Sequence, residues 1–495
     1  MTTRRRYILS IDQGTTGTHT LILDDRLAVA GHAYQEFTQH FPKPGWVEHD
    51  LLEIWGTVEL CIQRALRRAG LKGKDICAIG ITNQRETTGL WNRETGKPLH
   101  RAIVWQDRRT APLCAELKAR GEETRVRDRT GLVLDPYFSA TKLRWLLQNL
   151  PGAQARAEAG ELAFGTVDSW LVYKLTGGAA HVTDASNASR TLLLNLRSLE
   201  WDEEMLGLFG VPRSVLPTVR SSAEVYGTTS GLKSLPDGIP VSGMAGDQQA
   251  ALFGQACFDA GEAKCTYGTG AFLLMNTGTV PVPSKTGLLT TVAWRLGDTT
   301  TYALEGSAFI AGAAVQWMRD GLKVIQKSAD IEKLARSVPD SGDVVFVPAL
   351  SGLGAPHWRP DARGLFMGMD RSTTVAHMAR AVLEGVALQV FELAEAMMRD
   401  SRRALTSFKV DGGASANDLL MQFEADVLNI PVVRPQNLQT TGLGAAFLGG
   451  LGAGVWKNPE QLRRTWKADK VFRPRMKPEA RHRHLQQWRK AVERA

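Results

Sequence analysis

Three short loops rich in glycine and threonine each follow directly on an apolar strand pattern. They are Asp12-Gln-Gly-Thr-Thr-Gly-Thr18, Tyr267-Gly-Thr-Gly270 and Asp411-Gly-Gly413. Glycine lets backbone N–H groups approach an anion closely, and threonine hydroxyls add further donors. One such loop is equally typical of a plain hairpin turn, but three in one chain favour a site that holds the phosphates of one nucleotide.

The first of these loops begins with a carboxylate, Asp12, at the end of its apolar strand. Mg²⁺ that carries nucleotide phosphates commonly takes one or two protein carboxylates and keeps several waters. We therefore expect Asp12 to hold Mg²⁺ or one of its waters.

Two other polar groups also stand next to apolar segments. Asn83, Gln84, Arg85 and Glu86 follow the apolar strand that begins at residue 79. The Arg–Glu pair offers a donor and an acceptor to the hydroxyls of a polyol, and a surface ion pair at a strand end is the alternative. Asp247 and Gln248 precede an apolar helix at 250–253. Asp247 is there either an N-cap or a base that accepts a hydroxyl proton during phosphoryl transfer.

Several well-known active-site motifs are missing from the sequence. It contains no P-loop, no complete G-x-G-x-x-G after the first strand, no H-E-x-x-H and no G-x-S-x-G. These absences exclude P-loop NTPases and disfavour a dinucleotide fold, a zinc metalloprotease and an α/β-hydrolase.

The composition is that of a globular enzyme. The chain has 495 residues, 43% hydrophobic and 22% charged, which predicts two large domains. Its five cysteines are scattered and form no C-x-x-C pair, so we expect reduced thiols rather than a disulfide framework or a zinc ribbon. They are Cys61, Cys77, Cys114, Cys257 and Cys265.

The positive net charge is concentrated at one end of the chain. The net charge is +9, and residues 457–495 alone hold 13 Lys and Arg against 4 Asp and Glu. The remaining residues are therefore neutral overall. We expect a solvated, partly helical basic tail rather than a nucleic-acid-binding protein.

Neither of the two apolar segments that could enter a membrane is long enough to do so. Residues 1–10 contain three consecutive arginines and too short an apolar run for a signal peptide. Residues 443–455 are apolar but too few to span a bilayer. Their many glycines predict a packed helix that another element approaches closely.

The secondary-structure pattern is duplicated. A predicted hairpin at 7–23 recurs at 262–275, about 255 residues later, which indicates two similarly built halves with a boundary near Gly254. Helical periodicity covers 51–69, 375–398 and 418–428, with Ser372, Thr373 and Thr374 as capping candidates for the second helix. Alternating strands and helices predict α/β layers.

Longer stretches of the chain resemble the glycerol kinase family, within the carbohydrate-kinase superfamily and its actin/Hsp70-like ATPase fold. The matching segments extend over about residues 7–456 and are 41–50, 80–88, 135–139, 245–254, 267–270 and 352–356. The segment Gly-Ile-Thr-Asn-Gln-Arg-Glu at 80–86 is what indicates glycerol rather than a sugar.

The resemblance implies two actin-like, ribonuclease H-like α/β domains with nucleotide and substrate in the cleft between them. They would be residues 1–253, which bind glycerol and phosphates, and 254–495, which bind the nucleotide and end in the basic tail. The reaction would be phosphorylation of glycerol by ATP with Mg²⁺, in the cytoplasm. A homodimer or homotetramer is expected, without nucleic acid or stable membrane insertion.

The resemblance also assigns roles to residues. Asp247 would be the general base, and Asp12 would help to hold Mg²⁺. The glycerol site would comprise Arg85, Glu86, Trp105, Tyr137, Asp247, Gln248 and Phe272. The nucleotide site would comprise Thr15, Thr16, Gly17, His19, Thr269, Gly312, Gln316, Gly413 and Asn417. Of these, Gln316, Gly413 and Asn417 would hold the nucleoside end.

The chain departs from the family pattern in three places. The first phosphate loop usually continues Ser-Ser-Arg, where this chain has Gly17, Thr18 and His19. His19 either points elsewhere or weakens ATP binding in a way that improves as it charges at lower pH. Residues 226–238 lack the glycine pairs and arginine with which some members bind fructose 1,6-bisphosphate. The tail after Trp456 does not match the segment that binds a regulatory sugar-transport protein in other members.

Three alternative functions remain open from the sequence. One is a kinase of the same superfamily that acts on another polyol or a pentulose. The second is an actin-like or chaperone-like ATPase that switches a partner. The third is a catalytically inactive, binding-only relative that uses the basic tail.

Overall fold

A computed structural model describes residues 6–495. Arg4 and Arg5, on which the argument against a signal peptide partly depends, lie outside the described residues. The strands are β1 (Tyr7–Gln13), β2 (Gly17–Asp24), β3 (Val29–Glu36), β4 (Glu48–His49), β5 (Ile76–Asn83), β6 (Gly89–Asn92), β7 (Ala102–Ile103), β8 (Leu162–Gly165), β9 (Val182–Asp184), β10 (Thr218–Arg220), β11 (Gly227–Thr228), β12 (Pro240–Gly246), β13 (Glu262–Tyr267), β14 (Ala271–Gly278), β15 (Leu289–Leu296), β16 (Thr299–Ala308), β17 (Val345–Val347), β18 (Leu365–Met367), β19 (Ser407–Asp411), β20 (Val432–Pro435) and β21 (Ala468–Phe472).

The helices connect these strands and cover the sheets. They are α1 (Leu51–Ala69), α2 (Ala111–Ala119), α3 (Glu123–Thr130), α4 (Ser139–Asn149), α5 (Ala153–Glu158), α6 (Val167–Leu175), α7 (Ala185–Ala188), α8 (Glu203–Phe209), α9 (Asp247–Gly254), α10 (Gly312–Asp320), α11 (Asp330–Ala335), α12 (Val375–Ser401), α13 (Asp418–Leu428), α14 (Thr440–Gly452), α15 (Pro459–Arg463) and α16 (Pro478–Arg494). None of the helices within 6–495 is both long and apolar enough to cross a membrane.

The two large sheets have the same build. The first has the order β11-β12-β5-β1-β2-β3, and the second β15-β16-β14-β13-β19-β20-β21. In each, a hairpin (β1–β2 or β13–β14) adds a third antiparallel strand on one side and two parallel strands on the other. The predicted fold class, two α/β domains that repeat one pattern, is confirmed.

The ends of the long helices are set by local capping. Asp50 caps α1 by accepting hydrogen bonds from the N–H groups of Leu52 and Glu53, and Gly70 ends it with a φ of 65°. At α12, Thr374 forms a capping box with His377. The predicted helices at 51–69 and 418–428 have these bounds in the structure, and the one at 375–398 extends three residues further.

Helices α9 and α14 cross at the centre of the molecule, where small residues bring their backbones together. A Cβ atom on Gly444 would lie 1.8 Å from the carbonyl oxygen of Ala250, and one on Gly254 would lie 2.0 Å from that of Thr440. Helix α14 packs on β1, β5 and β12, whereas α9 packs on β13, β14 and β15. Each half therefore places a helix against the sheet of the other. The prediction of a closely approached helix within 443–455 is confirmed, but the helix begins at Thr440 and ends at Gly452.

The basic tail is partly built into the second half. Leu485 and Trp488 of α16 are buried in its hydrophobic core. Some tail cations are paired, since Arg463 lies 2.6 Å from Asp259 and Lys470 lies 2.5 Å from Asp418. The five cysteines are free thiols, four of them buried. The prediction of a partly helical tail and of unpaired thiols is confirmed.

Candidate active site

The loop after β5 carries the Arg–Glu pair into the interior. The side chains of Arg85 and Glu86 are only 2% and 1% exposed. Glu86 has a φ of 61°, in the left-handed region that non-glycine residues rarely adopt. The alternative of a surface ion pair is therefore wrong, because both side chains are buried. A buried Arg and a buried Glu need buried partners.

Arg85 finds its partners on both halves of the molecule. Its Nη1 and Nη2 lie 2.5 and 2.8 Å from the two carboxylate oxygens of Glu305, on β16. Its Nε lies 3.2 Å from Oδ1 of Asp247, and its Nη2 lies 3.4 Å from the hydroxyl of Tyr137. The guanidinium thus connects a strand of the second half to two predicted glycerol ligands of the first.

A second arginine, Arg190, closes the buried charge network. Its Nε donates to Glu86 at 2.7 Å and its Nη2 to Glu305 at 3.0 Å. Burial alone would raise the pKa of Glu305, but the guanidinium groups of Arg190 and Arg85 outweigh it and hold the pKa at about 2. Two cations and two anions therefore balance inside the protein. Among the described residues, Nη1 of Arg190 is buried and has no acceptor.

Asp247 is the first residue of α9, and Gly246 occupies the N-cap position. The N-cap interpretation of Asp247 is therefore wrong. Its side chain is 30% exposed, which leaves it accessible from solvent. Burial, together with the negative charge of Asp247, raises the pKa of Asp12 to about 7.

Gln248 and the aromatic residues complete the surroundings of Asp247. The Oε1 atom of Gln248 accepts a 2.5 Å hydrogen bond from Lys264 on β13. Trp105 lies with its ring 5.6 Å from that of Tyr137, edge to face, and its Nε1 donates to Thr15 at 3.0 Å. Aromatic rings of the first half and a polar side chain of the second therefore lie near the carboxylate and amide at the start of α9.

Phe272 stands on β14 of the second half and is half-buried. It pairs directly with Ser307 on β16, two residues from Glu305, so the register places Phe272 and Glu305 on the same face of the sheet. The aromatic side chain predicted for the glycerol site thus belongs to the same sheet face as the carboxylate that binds Arg85.

The first phosphate loop connects β1 and β2. Its N–H of Gly14 donates to the carbonyl of Gly17 at 2.9 Å, and Thr16 is exposed. A Cβ on Gly17 would lie 2.6 Å from the ring of Tyr34, so the serine usual in the family has no room unless that ring moves. The loop leaves the hydroxyls of Thr15 and Thr16 as its side-chain donors.

His19 lies on β2, directly opposite Asp12 in the strand register. Its ring contacts those of His32 and Tyr34, with centroid distances of 5.8 and 6.4 Å. Burial and the neighbouring His32 lower the pKa of His19 below its ordinary value of 6.5. At neutral pH this side chain is uncharged, unlike the arginine usual at this position.

The other nucleotide residues come together in the second half. Gly312, at the start of α10, donates its N–H to the carbonyl of Gly268 at 3.0 Å, next to Thr269, and Gln316 follows one turn along α10. Gly412 has a φ of 85° and touches Tyr267. Gly413 and Asn417, the N-cap of α13, follow at once. The second and third glycine loops therefore abut, next to two helix N-termini.

Sequence reasoning missed four residues of the site. They are Arg190, Lys264, Glu305 and Gln249, whose Oε1 accepts a hydrogen bond from Nη1 of Arg85 at 3.2 Å. Glu305 and Lys264 are fully buried ionisable side chains on strands, a pattern that is rare unless the side chain has a specific partner. That signal could have marked them as candidates, but it does not name the partner.

The residues present fit a magnesium ion. Within 6–495 no group of three or more His, Cys, Asp and Glu could hold a metal on its own. Mg²⁺ bound with a nucleotide needs only one or two carboxylates besides phosphates and waters. Asp12 supplies one such carboxylate beside the first phosphate loop.

Comparison with known proteins agrees with this geometry. The models of the N-terminal and C-terminal domains of the FGGY family of carbohydrate kinases match residues 7–254 and 263–453. A glycerol kinase from Myxococcus xanthus is 72% identical, covering 99% of this chain and 100% of that protein. A glycerol kinase from Deinococcus radiodurans is 58% identical, covering 99% and 97%.

Solved structures give the same picture. The crystal structure of Plasmodium falciparum glycerol kinase with ADP has a TM-score of 0.93 and 39% identity, covering 99% of this chain and 98% of that one. Gluconate kinase from Lactobacillus acidophilus, at 24% identity and a TM-score of 0.89 over 99% and 97%, shares the fold. The chain belongs to the FGGY family of carbohydrate kinases.

Proposed function

We propose that this chain transfers the γ-phosphoryl group of ATP to glycerol and forms sn-glycerol 3-phosphate. The observation that carries the proposal is the buried Arg85–Glu86 pair, which meets Asp247 and Tyr137 in a chain 72% identical to a glycerol kinase. A three-carbon triol has one polar and one apolar edge. The ionic groups suit its hydroxyls, and Trp105 and Phe272 suit its carbons.

Asp247 is the proposed general base. Its Oδ1 lies 3.2 Å from Nε of Arg85, which holds the carboxylate in place beside the other predicted glycerol ligands. An ionised carboxylate can accept the proton of the attacking primary hydroxyl as the phosphoryl group is transferred in line. Gln248 binds a second hydroxyl, and Arg85, Glu86 and Tyr137 hold the rest of the triol. A site that pairs every hydroxyl discriminates against analogues that lack one.

The nucleotide lies across the three glycine loops in this proposal. Thr15, Thr16, Gly17 and His19 line one side of the phosphates, and Thr269 and Gly312 line the other. Gln316, Gly413 and Asn417 hold the nucleoside. Asp12 would hold Mg²⁺, which neutralises phosphate charge when it is bound. Two domains, 1–253 and 254–495, form the cleft.

The wider setting follows the same proposal. Free thiols at all five cysteines support a cytoplasmic enzyme. We propose a homodimer or homotetramer that acts on glycerol as its small-molecule substrate and binds neither nucleic acid nor membrane.

The test is ADP release by the purified protein with MgATP, with and without glycerol. We expect strong glycerol dependence, and a loss of 10²- to 10⁴-fold in Asp247→Asn, the usual contribution of a general base. Asp298→Asn, in the exposed turn between β15 and β16, is the matched control and should keep full activity. Loss of activity in the control, or full activity of Asp247→Asn, would contradict the assignment.

Two alternatives are separated by the same assay. ATP hydrolysis that does not depend on glycerol would favour a switch ATPase. Turnover of a pentulose or gluconate in preference to glycerol would favour another kinase of the family, whose fold is shared by xylulose kinase from Lactobacillus acidophilus with a TM-score of 0.88. The buried Arg85–Glu86 pair supports glycerol over both.

A further inference from the structure

We propose that Glu305 and Lys264, two buried charges of the second half, are positioning residues that orient the glycerol-binding side chains of the first half. The inference rests on the proposed function. It adds that the glycerol pocket is complete only when one face of the second sheet supports it.

The register of the second sheet places the two charges in one row. Lys264 on β13 pairs with Leu274 on β14, and Leu274 pairs with Glu305 on β16. Directly paired residues of antiparallel strands point to the same face of a sheet. Phe272 and Thr266 form the adjacent row on that face. Helix α9, with Asp247 at its start, packs on β13 and β14.

Glu305 fixes the plane and direction of Arg85. The bidentate pair, at 2.5 and 2.8 Å, leaves the guanidinium little freedom to rotate. That orientation aims Nε at Asp247 and the Nη2 edge at Tyr137. Without Glu305, Arg85 would be drawn toward the remaining carboxylates, Glu86 and Asp247, and would compete with glycerol for them.

Lys264 decides which end of the Gln248 amide faces the ligand. Its Nζ donates to Oε1 of Gln248 at 2.5 Å and to Oγ1 of Thr266 at 2.9 Å. An ammonium group can only donate, so it holds the amide oxygen and leaves the NH₂ group to donate to a substrate hydroxyl. A rotated amide would present an acceptor where a donor is needed.

The energetic setting supports a role beyond packing. Glu305 and Lys264 are each 0% exposed, and an isolated buried charge costs several kcal/mol that an apolar residue of similar volume would avoid. Glu305 is offset by two arginines, but the closest partners of Lys264 are a neutral amide and a hydroxyl. Burial lowers the pKa of Lys264, an effect that the negative charge of Asp411 opposes, and the amide of Gln248 gives this buried side chain a specific partner to orient.

The experiment compares Glu305→Gln and Lys264→Met with wild type in steady-state kinetics. We expect the KM for glycerol to rise tenfold to a hundredfold, as for the loss of a hydrogen bond to a charged group, while the KM for ATP stays within about twofold. Glu384→Gln is the matched control. Glu384 is also buried and paired, to Arg380 at 2.7 Å, but it lies on α12, and its loss should lower stability without a change in the KM for glycerol.

A double variant tests whether Lys264 acts through Gln248. In Gln248→Ala the amide is gone, so adding Lys264→Met should raise the KM for glycerol no further. An equal rise in both backgrounds would overturn the positioning role. If Glu305→Gln does not fold, the Lys264 series decides.

The kinase activity and the positioning role of Glu305 and Lys264 are tested separately. If the wild-type protein does not phosphorylate glycerol, the proposed function is wrong. If it does, and Glu305→Gln and Lys264→Met keep the wild-type KM for glycerol, only the positioning inference is overturned.

Discussion

Replacing glycine by alanine should have opposite effects on stability at two helical positions, Gly444, where α14 crosses α9, and Gly56 on α1. In Gly444→Ala the new Cβ would lie 1.8 Å from the carbonyl oxygen of Ala250, whereas real Cβ atoms stay at least 3.0 Å from such atoms. The helices must therefore separate by about 1.2 Å. In Gly56→Ala, on the exposed side of α1, the Cβ would meet no atom within 4 Å.

The magnitudes follow from packing and helix propensity. Overfilling a packed interior costs about 1–3 kcal/mol or more, and replacing glycine by alanine in a helix returns about 1 kcal/mol. We take the upper end for Gly444→Ala because the contact is backbone to backbone, which gives a net loss of about 2 kcal/mol. Gly56→Ala keeps only the gain of about 1 kcal/mol.

The assay is thermal unfolding alongside kinase kinetics. With about 2–4 °C per kcal/mol for domains of this size, Gly444→Ala should lower Tm by about 4–8 °C and Gly56→Ala should raise it by about 2–4 °C. Ala250 lies one turn after Asp247 on α9. A displacement of about 1 Å near the reacting groups can cost 100-fold in rate, so kcat/KM of Gly444→Ala should fall by a similar factor. A Gly444→Ala protein that melts with wild type and retains its kcat/KM would refute the packing argument.

Three other predictions concern charge and accessibility. Burial and His32 lower the pKa of His19, so His19→Arg should lower the KM for ATP at pH 7.5. The KM of the wild-type protein should approach that of the variant only well below pH 6.5. Identical pH profiles of the two proteins would contradict this. Asp12 must lose its proton to bind a metal, and its pKa is raised to about 7. The Mg²⁺ concentration for half-maximal rate should therefore fall as pH rises to 7 and level off above it. A flat profile would remove Asp12 from the metal site. Burial raises the pKa of Cys61 to about 11 and those of Cys114 and Cys257 to about 12. A thiol reagent should therefore label only the half-buried Cys77 in the native protein and all five thiols after unfolding. A second rapidly labelled thiol that persists in Cys77→Ser would contradict the burial.

Local patterns in the sequence predicted much of the fold. The 3.6-residue apolar period predicted α1 and α13 with their observed bounds, since that signal lies within the elements themselves. The hairpins and their repetition near Glu262 predicted the duplicated halves for the same reason. The bounds of α14 were less well predicted, since its glycines follow the surface of a distant sheet rather than a helical period.

The candidate site was predicted in part. The residues that stand in recognisable motifs, such as Arg85, Asp247 and Thr269, were named from the sequence, and their roles stay proposals. Arg190, Lys264 and Glu305 were not named, because none of them stands in a motif that predicts its partner. Glu305 lies 220 residues from Arg85 along the chain, and nothing local to either predicts their pairing.

The sequence by itself indicated the class of chemistry, through loops and polar clusters whose residue types suit phosphates and hydroxyls. Only the tertiary structure decided whether those side chains are buried or exposed and which of them share a charge network. Arg85 and Glu86 look the same in the sequence as a surface pair and as a buried one. The difference arises when β16 of the other half brings Glu305 to them, because the cost of burying a charge depends on partners that only the folded chain assembles.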